Sequence, residues 1–270
     1  MSPFVDNSNP LNIFVGNPGL IPDYRHIVSI DFRSFDRFNF TNLFVSLRGT
    51  YIKDRIVSSQ FVNQQLQKVH TFVNSDRAWN SNLQVTYGRP VRMIGARISI
   101  TGRAGLSESS SFINQEENVS RISTTSANIA LDNRIKEVFD LRGTVNLSYN
   151  HTDYSLNPAL NLNYLNTTFS ARGSYYLGTS WTLATDLSYS LYDEEVFGDD
   201  QNLMLWNASV SYLMTNNLTE IEFVAQDLLD QNEGINITNA PTYIQNERIE
   251  SLGRFFLLRI VHRLGGPRNR

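Results

Sequence analysis

Four histidines, His26, His70, His151 and His262, are the side chains of this 270-residue chain best suited to moving protons near neutral pH. General acid–base or nucleophilic catalysis needs such a group beside a nucleophile and an orienting acid. His26 and His262 fall on the apolar side of strand-like stretches, and His70 and His151 lie in or beside polar links, so the spacing gathers no such set. No H-E-x-x-H, G-x-S-x-G or phosphate-loop pattern occurs. The expectation is a protein that is not an enzyme, with no catalytic residue and no cofactor. Asp193, Glu194, Glu195, Asp199 and Asp200 carry enough carboxylate oxygens to hold Ca²⁺ but lack the spacing of a calcium loop, and read as a solvated loop rather than a metal site. Asn118-Val119-Ser120 and Asn166-Thr167-Thr168 match the N-glycosylation acceptor and read instead as polar strand faces and loops.

Five arginines, Arg48, Arg97, Arg103, Arg142 and Arg172, recur on the polar side of alternating runs. In the clearest run, Ala96, Ile98, Ile100, Gly102, Ala104 and Leu106 face one way, and Arg97, Ser99, Thr101, Arg103 and Ser107 face the other. Two arginines on one face of a strand do not suit a dry core, where unpaired charge is costly. They suit a wetted surface. They could line a path for an anionic or hydrogen-bonding solute, or simply pair with neighbouring groups. The second reading is favoured, because polar residues facing a lumen need no ligand.

The elements that carry these residues are strands. Arg254 to Leu264 places Phe256, Leu258, Ile260 and Leu264 on one face and Arg259 and Arg263 on the other, the period of a β-strand. About eleven such strands can be counted. The links between them alternate between short (36–39, 88–90, near 133, 177–180, 215–217) and long (58–76, 108–119, 150–166, 193–200, 228–248). The boundaries expected are a loop over 1–22, barrel strands over 23–264 and a tail over 265–270. No run of about 18 apolar residues could span a bilayer as a helix. Mean hydropathy of -0.29 is compatible with strands that alternate lipid-facing and polar residues. Aromatics cluster near both strand ends, as interfacial girdles do: Phe38, Phe40, Phe44, Phe139, Tyr175, Tyr176, Trp181 and Tyr212 at one, and Tyr24, Tyr51, Trp79, Tyr149, Tyr189, Tyr192 and Trp206 at the other. Net charge of -3 without a basic cluster argues against nucleic acid as a partner, and the absence of Cys removes disulfides and thiolate metal sites. The fold expected is all-β: an antiparallel transmembrane β-barrel segment that leaves an open curved sheet, because an odd set of strands cannot close with every neighbour antiparallel. A soluble β-sandwich adhesin or binding module is the alternative.

Asn12-Ile-Phe-Val-Gly-Asn-Pro-Gly-Leu-Ile-Pro-Asp-Tyr24, Asp227-Leu-Leu-Asp-Gln-Asn232, Tyr243-Ile-Gln-Asn-Glu-Arg248 and Leu252-Gly-Arg-Phe-Phe256 together resemble the C-terminal half of the barrel in TonB-dependent-receptor-like outer-membrane proteins of the Bacteroidetes type. The resemblance covers nearly the whole chain. It implies half of a 22-strand barrel in the outer membrane of a Gram-negative bacterium, with short turns in the periplasm and long connections outside. It also implies a role in taking up a scarce nutrient of siderophore, glycan or peptide class. The partners it implies are outer-membrane lipid and lipopolysaccharide, an N-terminal plug and barrel half, and TonB acting through an N-terminal region. A passive porin or scaffold barrel is the other membrane reading. Met1 to Asp6 has neither a basic start nor an apolar core, so no secretory signal is read there, and a piece of a longer protein is expected.

Overall fold

Alternation of apolar and polar side chains is separated onto two faces only by extended backbone. The computed structural model describes residues 5–133, 137–193, 202–240, 243–250 and 252–264, and these are β-strands and turns apart from two single-turn 3-10 segments, Arg92–Ile94 and Pro158–Leu160. Two short strands come first, β1 (Val5–Asn9) and β2 (Asn12–Val15). Ten longer strands follow: β3 (Tyr24–Asp36), β4 (Thr41–Val62), β5 (Lys68–Val91), β6 (Ala96–Ile113), β7 (Glu116–Asn133), β8 (Phe139–Tyr154), β9 (Leu162–Leu177), β10 (Trp181–Leu191), β11 (Leu203–Leu213) and β12 (Thr219–Gln226). A separate hairpin of β13 (Glu233–Ala240) and β14 (Tyr243–Glu250) precedes the last strand, β15 (Phe255–His262).

Strands β3 to β12 pair antiparallel with their sequence neighbours, and β15 pairs antiparallel with β12. With β1 and β2 they make one thirteen-stranded sheet. Eleven strands, β3 to β12 and β15, form its transverse wall, the number expected. Within this sheet β3 pairs only with β4 and β15 only with β12, so the wall is open at both edges. If β3 is taken to descend, strict alternation makes β15 descend as well.

Exposed and buried residues invert the order of a soluble protein. The strongest apolar positions lie bare: Ile30 is 57%, Leu258 67% and Ile260 64% exposed. Total accessible surface is 18121 Å², against about 12,000 Å² for a soluble monomer of this mass. Among the described residues no second layer packs on the apolar face, which removes the β-sandwich alternative.

The lower ends carry the short turns. The β3–β4 turn is closed by Asp36, whose carboxylate accepts from Phe38 N at 2.8 Å and Asn39 Nδ2 at 2.7 Å. Gly95 and Gly178 take left-handed backbone (φ 60° and 63°) in the β5–β6 and β9–β10 turns, which glycine does without steric cost.

At the upper ends the structure corrects several expected loops. Residues 58–76 are the extended end of the β4–β5 hairpin, turning at 63–67, and 108–119 is the β6–β7 hairpin, turning in two residues at Asn114 and Gln115 (φ 51° and 70°). The 150–166 link shrinks to 155–161, the 228–248 loop contains the β13–β14 hairpin, and the 1–22 loop contains β1 and β2. The common cause is that water bathes both faces of strands beyond the apolar belt. The period-2 contrast therefore fades while the backbone ladder continues. The 265–270 tail lies outside the described residues.

The β4–β5 hairpin also turns over about its own axis. Below Asp54 the neighbours run β3, β4, β5, β6; above it β5 pairs in parallel with β2 (Asn12↔Lys68) and β4 in parallel with β6 (Ser59↔Phe112). The exchange sits at Asp54, whose φ is 53°. Asn74 pins it: its Nδ2 donates to Asp54 O at 2.7 Å and Ile21 O at 2.9 Å, while its Oδ1 accepts from Ile21 N at 3.0 Å. Two-stranded ribbons twist more than wide sheets, and a strand pair freed from its neighbours above the belt can complete a half-turn.

Candidate functional site: the two faces of the wall

Residues directly opposite on antiparallel strands share a face, so the register assigns every side chain in the wall. One face carries Leu47, Leu83, Ile100, Ile129, Leu147, Phe169, Leu187, Val210, Phe223 and Leu258. The other carries Arg48, Gln84, Arg103, Asn128, Asn146, Arg172, Asp186 and Glu222. The five arginines singled out above all lie on this polar face.

Three of them bond to other polar side chains of the sheet. Arg97 NH2 donates to Asn42 Oδ1 at 2.6 Å, Arg103 Nε to Gln84 Oε1 at 3.3 Å, and Arg172 Nε to Asp186 Oδ2 at 2.7 Å. Gly88 makes room for the first contact, since a Cβ there would stand 2.5 Å from Asn42 Oδ1. Arg97, Asp132, Arg142, Arg172 and Asp186 are successive register partners across β6 to β10, a row of alternating charge broken once where two arginines meet. The row was invisible in the sequence because Asp132 and Asp186 become neighbours of these arginines only once the register is known. Arg259 bonds Glu222 on the same face at the β12–β15 edge. Higher up, a shallow dent of about 550 Å³ around Gly105 is lined by Asn80, Asn82, Ser107 and Thr124, with Arg55, Trp79 and Glu108 at its rim. These groups can hydrate a passage and donate or accept hydrogen bonds.

Histidines do not gather. They stand on four strands, β3, β5, β8 and β15. His26 packs between Tyr24 and Tyr51 with ring centroids 4.9 and 6.3 Å away, and His262 Nδ1 lies 2.9 Å from Thr219 Oγ1, both on the apolar face as expected. His70 and His151 lie in strands rather than loops. Glu194, Glu195, Asp199 and Asp200 fall outside the described residues, and among the described residues no three His, Cys, Asp or Glu side chains are placed to hold a metal ion. The glycosylation-like triplets have structural places. Asn118 is fully buried, with its Oδ1 accepting from Leu156 N at 3.0 Å, and Asn166 sits on the polar face of β9 opposite Ser148.

The aromatic girdles are present with two corrections. Trp181 meets Tyr212 at 4.7 Å and Phe139 lies opposite Tyr175 at the lower end, while Tyr51 lies opposite Trp79 at the upper. Phe44 and Tyr176 instead point to the polar face, Phe44 beneath Arg33 at 5.1 Å, because each is one residue out of phase with the apolar side.

The Asp227 to Asn232 and Leu252 to Phe256 segments form a latch between the top of β12 and the top of β15. Asp227 is buried and accepts from Gln231 N at 3.1 Å and Asn232 N at 2.9 Å; Asp230 accepts from Arg254 N at 2.7 Å. A Cβ on Gly253 would stand 2.6 Å from Asp230 Oδ1. The carboxylates in these segments therefore order a long connection.

A bare apolar belt, a hydrated opposite face and aromatic edges are the attributes of a sheet that crosses a bilayer. Comparison with known families agrees: the model of the outer membrane protein beta-barrel family matches residues 1–261, and the chain belongs to that family. No curated protein matches the chain.

Proposed function

We propose that this member of an outer-membrane β-barrel family is the C-terminal wall of a larger, plug-gated transporter that takes up a scarce nutrient of siderophore, glycan or peptide class with energy delivered through TonB. The observation that carries the reading is the pair of open, descending edges, β3 and β15. Antiparallel closure requires a complement with an odd number of strands whose first and last both ascend. A complement of eleven would give 22, the even count of a bacterial barrel. A second copy of this chain offers two descending edges and does not fit. The partners in this reading are that barrel half with its plug, TonB, and outer-membrane lipid and lipopolysaccharide of a Gram-negative envelope, with no nucleic acid and no enzymatic step.

The paired state of Arg97, Arg103 and Arg172 favours a second reading, a passive porin or scaffold whose inner charges only hydrate the wall. Growth on limiting nutrient separates the two. Disrupting TonB and disrupting the full-length gene should give the same uptake defect if transport is energised. A full-length protein whose loss leaves uptake of every tested siderophore, glycan and peptide source unchanged would sink the transport reading.

A further inference from the structure

The apolar face changes chemistry abruptly at one level. Trp79 lies opposite Glu108, Glu108 opposite Arg121, and Arg121 opposite Asp153, so these charges share the face of Leu83, Leu106, Ile129 and Leu147 just above the belt. Arg77 and its register partner Lys53 belong to the same face, two residues above Trp79 and Tyr51. Aromatic side chains mark the edge of the hydrocarbon, so the next step along each strand enters the headgroup layer.

Within this cluster the cations project and the acid is tucked in. Glu108 accepts from Arg121 Nε at 2.9 Å and lies 3.9 Å from Arg77 NH2; its side chain is 16% exposed, against 70% for Arg121 and 66% for Arg77. A guanidinium offers five N–H donors in a rigid fork; Glu108 engages Arg121 through Nε, Asp153 stands opposite Arg121 as the second acid, and against these two acids stand three cations, Arg77, Arg121 and Lys53. Glu108 therefore holds the two guanidiniums near each other and leaves most of their donors facing outward. Forked donors on a cationic, outward-facing ledge match the oxygens of a phosphate.

We infer that Arg77 and Arg121, held by Glu108 and supplemented by Lys53, dock the phosphate of an outer-leaflet lipid headgroup while the lipid's acyl chains lie along Leu83 and Leu106. This rests on the outer-membrane placement of the belt and is independent of whether the protein transports anything.

The test uses the full-length protein taken from outer membranes in mild detergent, with co-purifying phosphorylated lipid quantified by mass spectrometry. Arg77→Gln combined with Arg121→Gln should lower retained lipid by at least about tenfold, the factor for losing a single charge-assisted hydrogen bond, because two guanidiniums are removed. Arg48→Gln, on the opposite face, should leave retention unchanged, and Glu108→Gln should keep it at or above wild type. Equal retention by the double variant and wild type overturns the site. Wild-type protein in phosphatidylcholine vesicles with and without lipid A gives a second readout that needs no variant to fold. A higher unfolding temperature with lipid A is expected, and no difference rejects the site. Inorganic phosphate giving the same rise would identify an anion site and overturn the lipid assignment. Recovery of the parent from the soluble fraction would fail the membrane reading itself, an outcome distinct from all of these.

Discussion

Gly253 and Asp186 illustrate how single side chains act in a wall that has almost no core. Gly253 lies against Asp230 Oδ1, so Gly253→Ala must displace the carboxylate that holds Arg254 N. A loss of about 1–3 kcal/mol is expected, read as a lower urea midpoint of the full-length barrel in detergent with the slope unchanged. Asp186 is a weaker case. Its ion pair with Arg172 is exposed, so Asp186→Asn should cost under about 1 kcal/mol, yet it leaves Arg142 and Arg172 facing each other with Asp132, opposite Arg142, as the one acid left in the row. In the passive-porin reading the measurable outcome is a shift of reconstituted channel currents toward anions. Asp36 adds a pH dependence: hydrogen bonds from Asn39 and from Phe38 N hold its carboxyl below the ordinary range. The contribution of this turn is therefore full above the unfolded carboxylate value and lost as pH falls through the lowered folded one; Asp36→Asn should flatten the acid limb of the unfolding profile. At this scale the sequence was legible wherever phase alone decides, as for Ile100 and Arg103. It misled at Phe44 and Tyr176, where an aromatic's affinity for the belt is overridden by one residue of register.

Strand β6 tests what lies against the apolar face. Ile100 is 42% exposed there, so Ile100→Arg should cost about 2–4 kcal/mol at the bilayer midplane. Ile100→Ala should cost far less than the 2–5 kcal/mol or so of a core truncation, because no cavity forms. Equal and large losses from both changes would require a packed layer instead of lipid. Existence and number of the eleven wall strands could be read from alternation alone. Their upper limits could not: Ser109, Ser110 and Ser111 have the composition of a loop, yet pair with Ser120, Val119 and Asn118. What distinguishes them is cross-strand backbone hydrogen bonding, which leaves no mark on hydropathy. The hairpin tip above Asp54 contributes nothing to the belt, so deleting 55–75 with a short turn in its place should leave membrane insertion intact. Loss of the heat-modifiable folded band on electrophoresis would contradict that independence.

The molecule as a whole is a wall whose two edges point the same way and are open within its sheet. The proposed complement predicts that this chain expressed alone aggregates through β3 and β15, and that co-expression with a barrel half that ends in ascending strands gives a folded, detergent-soluble species, detectable by size-exclusion chromatography. The half-turn of the β4–β5 hairpin at Asp54 also ends the bookkeeping of inside and outside along two strands. In a saturation scan, tolerance to charge should oscillate with period two up to Lys53 in β4 and down from Arg77 in β5, and the oscillation should fade beyond those points, where water reaches both faces of the ribbon. The crown of this hairpin thus turns toward β2 and β6 the edges of the ribbon that have changed places with those a few residues lower.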